Sequence, residues 1–178
     1  MKPIFTIHEG EFLAGDKINR TFGRKYDVWV PTKDHGVDLL VTRKGRKGRA
    51  AALQVKFSRS FDIPPELARH VVATSWFRLE PRKIRKSAAD LWVFVILTLR
   101  HEQHFLLVPR RELQKRVPRS ASKRWDMYLW VYGDGSCYQV RDLDPDERLD
   151  TVRHGVHDPH LDFSDWLENW GLLEKFTR

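Results

Sequence analysis

The chain has a single cysteine, Cys137, so it can form no internal disulfide and no cysteine-rich zinc site. A reducing cytoplasm is the expected compartment for such a sequence. No apolar run approaches the roughly 18 residues a membrane helix needs, and the opening MKPIFTIHEGEFLAG has no long apolar stretch. Neither a membrane span nor a signal peptide is expected. Acids are in the minority: 24 Asp and Glu stand against 32 Lys and Arg, for a formal net charge of +8. That imbalance favours polyanions, nucleic acid foremost, over cationic partners. No glycine-rich loop of nucleotide-binding type and no internal repeat occurs, and no serine with a paired histidine and acid stands out.

What remains is ample for folding. Over 178 residues, 41% are hydrophobic and seven are tryptophan, enough apolar surface to offset the ordering entropy of one α/β domain with a buried core. A single domain over residues 1–178 is expected, with a core near 8–108 and a C-terminal extension over 109–178.

HEGEFLAGDKINRTFG reads as an opening helix that Gly23 ends, with Glu11, Gly15, Ile18 and Phe22 near one face. YDVWVP and VDLLV read as short strands. AAALQVKFS alternates, Ala51, Leu53, Val55 and Phe57 against Ala52, Gln54, Lys56 and Ser58, so its polar face is expected where water or a ligand can reach. PPELARHVVATSWFRLE predicts a helix beginning after Pro65, ADLWVFVILTL a strand inside the sheet, and HFLLVP its neighbour. RRELQKRV suits a short basic helix, and MYLWVYGDGSCYQVRD a hairpin. DFSDWLENWGLLEKF predicts a docking helix capped by Asp162 or Ser164, with Trp166, Trp170 and Leu173 on one stripe. DLDPDERLDTVRHGVHDPH reads as the one long irregular stretch.

The chemistry concentrates in HGVDLLVTRKGRKGRAAALQVKFS. If its two strands pair around a turn centred on Lys47, Asp38 faces Lys56 and Leu40 faces Gln54, at the end remote from the turn. The basic turn then lies roughly 20–25 Å away at about 3.3 Å per residue, placed to touch a long polyanion. Asp38 offers a carboxylate, Gln54 a side-chain carbonyl and Val55 a main-chain carbonyl, hard oxygens of the kind Mg²⁺ or Mn²⁺ takes. Glu11 adds a second carboxylate if the opening helix packs beside the hairpin. Lys56 can orient or help deprotonate a water, or stabilise a phosphoryl oxyanion.

These residues resemble the PD-(D/E)XK nuclease superfamily, the restriction-endonuclease-like and Holliday-junction-resolvase-like enzymes. Its pattern is an acid at the start of one strand and an acid, any residue and lysine at the end of the next. GVDLLV supplies Asp38, LQVKFS supplies Gln54, Val55 and Lys56, and Glu11 matches the acid often carried on the first helix. The resemblance covers roughly residues 8–108 and implies an α/β, restriction-endonuclease-like core: a mixed central β-sheet flanked by helices, here followed by a C-terminal hairpin and helix. The departure is Gln54 in place of an acid. It keeps an oxygen but removes a charge, so metal affinity should fall; members resembling restriction enzymes and junction resolvases include glutamine there.

The implied activity is a Mg²⁺-dependent endodeoxyribonuclease acting on DNA more readily than RNA, as a homodimer if both strands are cut. The alternative is a nuclease-like DNA-binding or assembly module that has lost catalysis, with Gln54 as the sign. Arg43, Lys44, Arg46, Lys47 and Arg49 around the turn, and Arg82 and Lys83 in RKIRK, are the expected phosphate contacts, joined by PRRELQKR. His154, His157, His160 and Asp158 raise a zinc site, but a spacing of three in a Pro- and Gly-containing loop fits solvated histidines better. Most tryptophans sit in apolar patterns and read as core rather than as base-stacking groups.

Overall fold

The computed structural model describes residues 7–32, 36–45, 48–61, 63–121 and 123–178. Helix α1 (Glu9–Phe22) precedes strands β1 (Tyr26–Trp29), β2 (Leu39–Arg43), β3 (Ala51–Arg59) and β4 (Val71–Leu79). Then come α2 (Pro81–Lys86), β5 (Leu91–Leu97), β6 (Gln103–Pro109), α3 (Arg110–Arg116), β7 (Trp125–Tyr132) and β8 (Cys137–Gln139). Helix α4 (Pro145–His154), a 3₁₀ turn at Ser164–Trp166 and α5 (Gly171–Phe176) complete the chain.

The strands form a five-stranded sheet in the order β1-β2-β3-β5-β6 and a three-stranded sheet in the order β4-β7-β8. Within the larger sheet β3 and β5 are parallel and every other pair is antiparallel. The protein is therefore α/β, with a mixed five-stranded sheet flanked by helices.

Parallel neighbours need a long crossover, and residues 60–90 supply it. The helix expected after Pro65 is not there: turns over residues 65–70 lead into β4. Val71, Ala73, Phe77 and Leu79 are buried while Val72, Trp76 and Arg78 are exposed, the two-residue period of a strand in a segment rich in β-branched and aromatic residues. Only the six-residue α2 remains as the helical part of the crossover.

One face of the large sheet packs Leu39, Val41, Leu53, Val55 and Val93 against Ala14 and Ile18 of α1. The opposite face packs Trp92, Phe94, Ile96 and Leu106 against Ala73, Phe77, Met127 and Leu129 of the small sheet. Strand β5 is covered on both sides, which is why LWVFVIL is apolar throughout. Along α1 the buried stripe is Gly10, Ala14 and Ile18 rather than the expected Glu11, Gly15, Ile18 and Phe22. A Cβ on Gly10 would lie 2.7 Å from Cβ of Phe57, so the helix backbone rests directly on β3 and the stripe turns to follow it.

The C-terminal segment is not the single helix expected. Trp166 belongs to the core between the sheets, whereas Trp170 and Leu173 belong to the core beneath α1. A straight helix cannot serve both, and the chain breaks at Glu168, φ 51°, as it crosses the edge of β6. There Glu168 N–H donates to Phe105 O at 2.7 Å and its Oε1 accepts from Phe105 N–H at 2.8 Å, closing an otherwise open sheet edge. The stretch expected to be irregular contains α4, started by a reciprocal cap: Asp144 Oδ1 accepts from Glu147 N–H and Glu147 Oε2 from Asp144 N–H, each at 2.9 Å. Among the described residues no helix is long and apolar enough to cross a membrane.

Candidate active site

Strands β2 and β3 pair Leu39 with Leu53, Leu40 with Ala52 and Val41 with Ala51. This corrects the expected register by two residues: Leu40 does not face Gln54, and Asp38 does not face Lys56. The ladder stops at Val41 and Ala51, so the long basic connection beyond it does not dictate the pairing. Asp38 holds it from the other end, donating its main-chain N–H to Leu53 O at 2.8 Å. Its Oδ2 accepts from Val55 N–H at 2.6 Å and from Gln54 Nε2 at 2.5 Å. A slip of two preserves the faces, so Gln54 and Lys56 still share one side of β3.

Gly36 lets the preceding chain enter at this point. Its φ is +80°, the region that favours glycine, and a Cβ there would sit 3.5 Å from Gln54 Oε1. Gln54 and Val55 are buried, whereas Lys56 is half-buried. In the parallel ladder Gln54 lies beside Trp92, and the Lys56 ammonium stands 5.8 Å from the centre of the Trp92 ring. The indole N–H of Trp92 is buried and has no hydrogen-bond partner among the described residues.

Asp38, Gln54 and Val55 thus come together, with Lys56 next on the same face. Glu11 occupies the first turn of α1, where its Oε2 accepts from His8 N–H at 3.1 Å, and α1 lies on the opposite face of β3. Its neighbour Glu9 pairs with Arg59 at 3.2 Å. The helix packs against β3 at Gly10, on the face away from Gln54 and Lys56.

The polar face of β3 is less open than its alternation suggests. Ser58 Oγ accepts from Trp76 N–H at 3.1 Å and Ser60 Oγ from Thr74 N–H at 3.0 Å, so the free edge of β4 rests on this face. Towards β1 the same face opens: Trp29 pairs with Leu40, Leu40 with Ala52, and Trp29 is 57% exposed. The Asp38–Gln54–Lys56 group sits at the border between the open and covered halves.

Most of the expected phosphate contacts have acidic partners. Arg43 lies 3.5 Å from Glu174, Lys44 3.2 Å from Asp27, and Lys83 2.7 Å from Glu80; Arg49 bonds Asp90. The Lys44 and Lys83 pairs are exposed on both sides, and such pairs are worth about 0–1 kcal/mol each, little enough to be exchanged for a phosphate. Arg82 is exposed, and Arg46 and Lys47 lie outside the described residues. The RKIRK and RRELQKR clusters are neighbours: Gln114 on α3 donates to Ile84 O on α2 at 3.3 Å.

Among the described residues no three of His, Cys, Asp and Glu gather into a group able to hold a metal ion. His154 ends α4, 3.6 Å from Asp150, and His157 and His160 are exposed beyond it. Among the described residues, Asp38 brings its carboxylate to the Gln54 amide and the Val55 main chain, which carry hard oxygens of the kind Mg²⁺ accepts. Two participants escaped the sequence reading. Gly36 had a signal, a glycine two residues before the acid; the place of Trp92 beside Gln54 depends on a parallel pairing that no local pattern reveals. The chain matches no protein-family model, and neither a curated protein nor a solved structure is significantly similar to it.

Proposed function

We propose that this protein is a metal-dependent nuclease of the PD-(D/E)XK kind that hydrolyses phosphodiester bonds in DNA. One observation carries the reading: Asp38 at the entry to β2 bonds directly to Gln54 and to the main chain of Val55, with Lys56 following on the same strand face. The element order agrees with the resemblance, a first helix, three antiparallel strands, a crossover and a strand parallel to the third. The departure is a crossover built of β4 and a short helix.

Asp38, the Gln54 carbonyl and the Val55 main-chain carbonyl would hold Mg²⁺ or Mn²⁺, with Glu11 as the candidate second acid. Bound there, the ion would polarise a phosphoryl oxygen and make hydroxide available near neutral pH. Lys56 positions the attacking water or neutralises the phosphoryl oxyanion, with its ammonium 5.8 Å from the centre of the Trp92 ring. Gln54 orients the Asp38 carboxylate by donating to it. The net charge of +8 draws DNA to the surface without selecting a sequence. A cytoplasmic setting fits the one buried thiol, and cutting both strands would call for a homodimer.

A second reading has its own observation. The Gln54 amide satisfies Asp38 as a neutral donor, an arrangement that needs no cation and suits a DNA-binding or assembly module. Cleavage of end-labelled DNA in Mg²⁺ by wild type and by Asp38→Asn separates the two. Loss of cleavage with retained DNA binding in the variant supports the nuclease; equal behaviour of both proteins supports the module.

A further inference from the structure

The small sheet has an outer face of its own. One half is closed by residues 67–71 and α4, which bury Trp130, Tyr132 and Val140. The other half is open. Trp76 pairs with Tyr128 and Arg78 with Asp126 across β4 and β7, which sets all four on that face. Trp76 and Phe61 are each 43% exposed, although both are large aromatic groups that normally seek the core. Their rings stand edge-on to Tyr128, at 5.9 Å and 6.4 Å between centroids.

This surface is rigidly held. The Asp126 side chain is only 7% exposed and is surrounded by one indole N–H and three guanidinium groups. Trp76 Nε1 lies at 3.2 Å, Arg124 at 2.6 Å, Arg141 at 3.4 Å and Arg78 at 3.6 Å. The Arg124 hydrogen bond holds the Asp126 carboxyl below its ordinary range. Arg78 also stacks over Trp76, with its guanidinium carbon 5.1 Å from the ring centre. Three guanidinium groups meet one buried acid. Even with the exposed Asp142, 3.9 Å from Arg141, the cluster remains positive.

An ion-pair hub built only for stability has no need of a fixed, half-exposed tryptophan. Positive charge beside exposed aromatic rings is the chemistry that takes phosphate and the π-face of a base together. A duplex hides those faces, so the complementary ligand is a strand with unpaired bases. The surface also adjoins the candidate site: the Trp76 main chain is bonded to Ser58, two residues or about 7 Å along β3 from Lys56.

We infer that Trp76, Phe61 and the Asp126-anchored arginines bind the unpaired bases and backbone of single-stranded DNA. The substrate class that follows, DNA with a single-stranded segment beside the cut, rests on the nuclease reading; the binding does not.

The test is fluorescence anisotropy of a labelled oligothymidylate and of a matched duplex, with the full chain at low salt in EDTA, so that no cleavage intervenes. Trp76→Ala is expected to weaken single-strand binding about tenfold, and Trp76→Phe to restore most of it, with duplex binding little changed. Phe61→Ala, outside the Asp126 hub, should weaken it several-fold while the variant stays fully folded at the assay temperature, as its thermal unfolding checks. The inference is overturned if the wild type binds no oligothymidylate, if both alanine variants bind it as the wild type does, or if each loses duplex binding equally. A wild type that never cleaves DNA but binds single strands through Trp76 removes the nuclease reading and keeps the surface. Cleavage with Trp76-independent binding does the reverse.

Discussion

Gln54 donates its side-chain amide to Oδ2 of Asp38 at 2.5 Å, across the break where β2 begins beside β3. A carboxylate at position 54 would set two like charges against each other there unless a cation stood between them. Glutamine removes that conflict while keeping a carbonyl oxygen. Gln54→Glu is therefore expected to destabilise the protein in EDTA by roughly 1–3 kcal/mol, the order of a buried hydrogen bond lost and a repulsion gained. Millimolar Mg²⁺ should recover that stability. Thermal unfolding with and without the ion reads it; a variant equally stable in both conditions would speak against a cation at this site.

Gly10 sits on Phe57, one residue beyond Lys56, with no room for a methyl group. Gly10→Ala should push α1 away from β3 at a cost of about 1–3 kcal/mol, as overpacking does. Urea denaturation gives the loss directly. Because the same contact fixes α1, which carries Glu11, against the strand that carries Gln54 and Lys56, any DNA cleavage should fall further than the stability loss explains at temperatures where the variant is fully folded.

Glu168 closes the edge of β6 with two bonds to Phe105, and its Oε2 accepts from Trp170 Nε1 at 3.0 Å. Glu168→Ala leaves the Phe105 and Trp170 N–H groups without their carboxylate, at about 1–3 kcal/mol. A bare strand edge also invites pairing between chains. Lower thermal stability together with concentration-dependent aggregation is expected; Glu168→Gln, which keeps one acceptor, should fall between.

Acid should destabilise the fold in two stages. Burial pushes His104 below its ordinary value of 6.5, so the unfolded chain takes up that proton first. Stability is then lost as pH falls below about 6.5, down to the folded value. Asp126 lies below its ordinary 3.8, chiefly through the Arg124 hydrogen bond, and its contribution is present above that value and lost as pH falls through the folded one. Unfolding midpoints against pH should show both stages in the wild type. His104→Gln should remove the upper stage alone, and Asp126→Asn should shrink the lower one, to which Glu112, Asp134 and Glu174, also held below their ordinary values by hydrogen bonds, contribute as well.

Legibility in the sequence followed the range of the interactions. The strand alternation that sets Gln54 and Lys56 on one face is local, and it survived a register error of two because that slip preserves faces. The register itself was not readable: the basic connection leaves the ladder at Val41 and Ala51, and the determining contact is a carboxylate bonding the main chain of Val55. β4 was obscured by its Pro-Pro-Glu lead-in, although Val71, Ala73, Phe77 and Leu79 alternate plainly. For α4 the signal was present in Asp144-Pro145-Asp146-Glu147, a reciprocal cap with proline at the first helical position. The break at Glu168 arises because two tryptophans four residues apart, Trp166 and Trp170, serve different cores, a tertiary demand that overrides a good helical stripe. Trp76 was hidden for a similar reason, since its apolar neighbours are buried on the other face of the strand.

The most direct test incubates purified protein with supercoiled plasmid and Mg²⁺ or Mn²⁺, beside Lys56→Ala and an EDTA control. The account predicts nicking or linearisation by the wild type that disappears both with EDTA and in the Lys56→Ala protein. Cleavage that survives in the Lys56→Ala protein, or in EDTA, would contradict it.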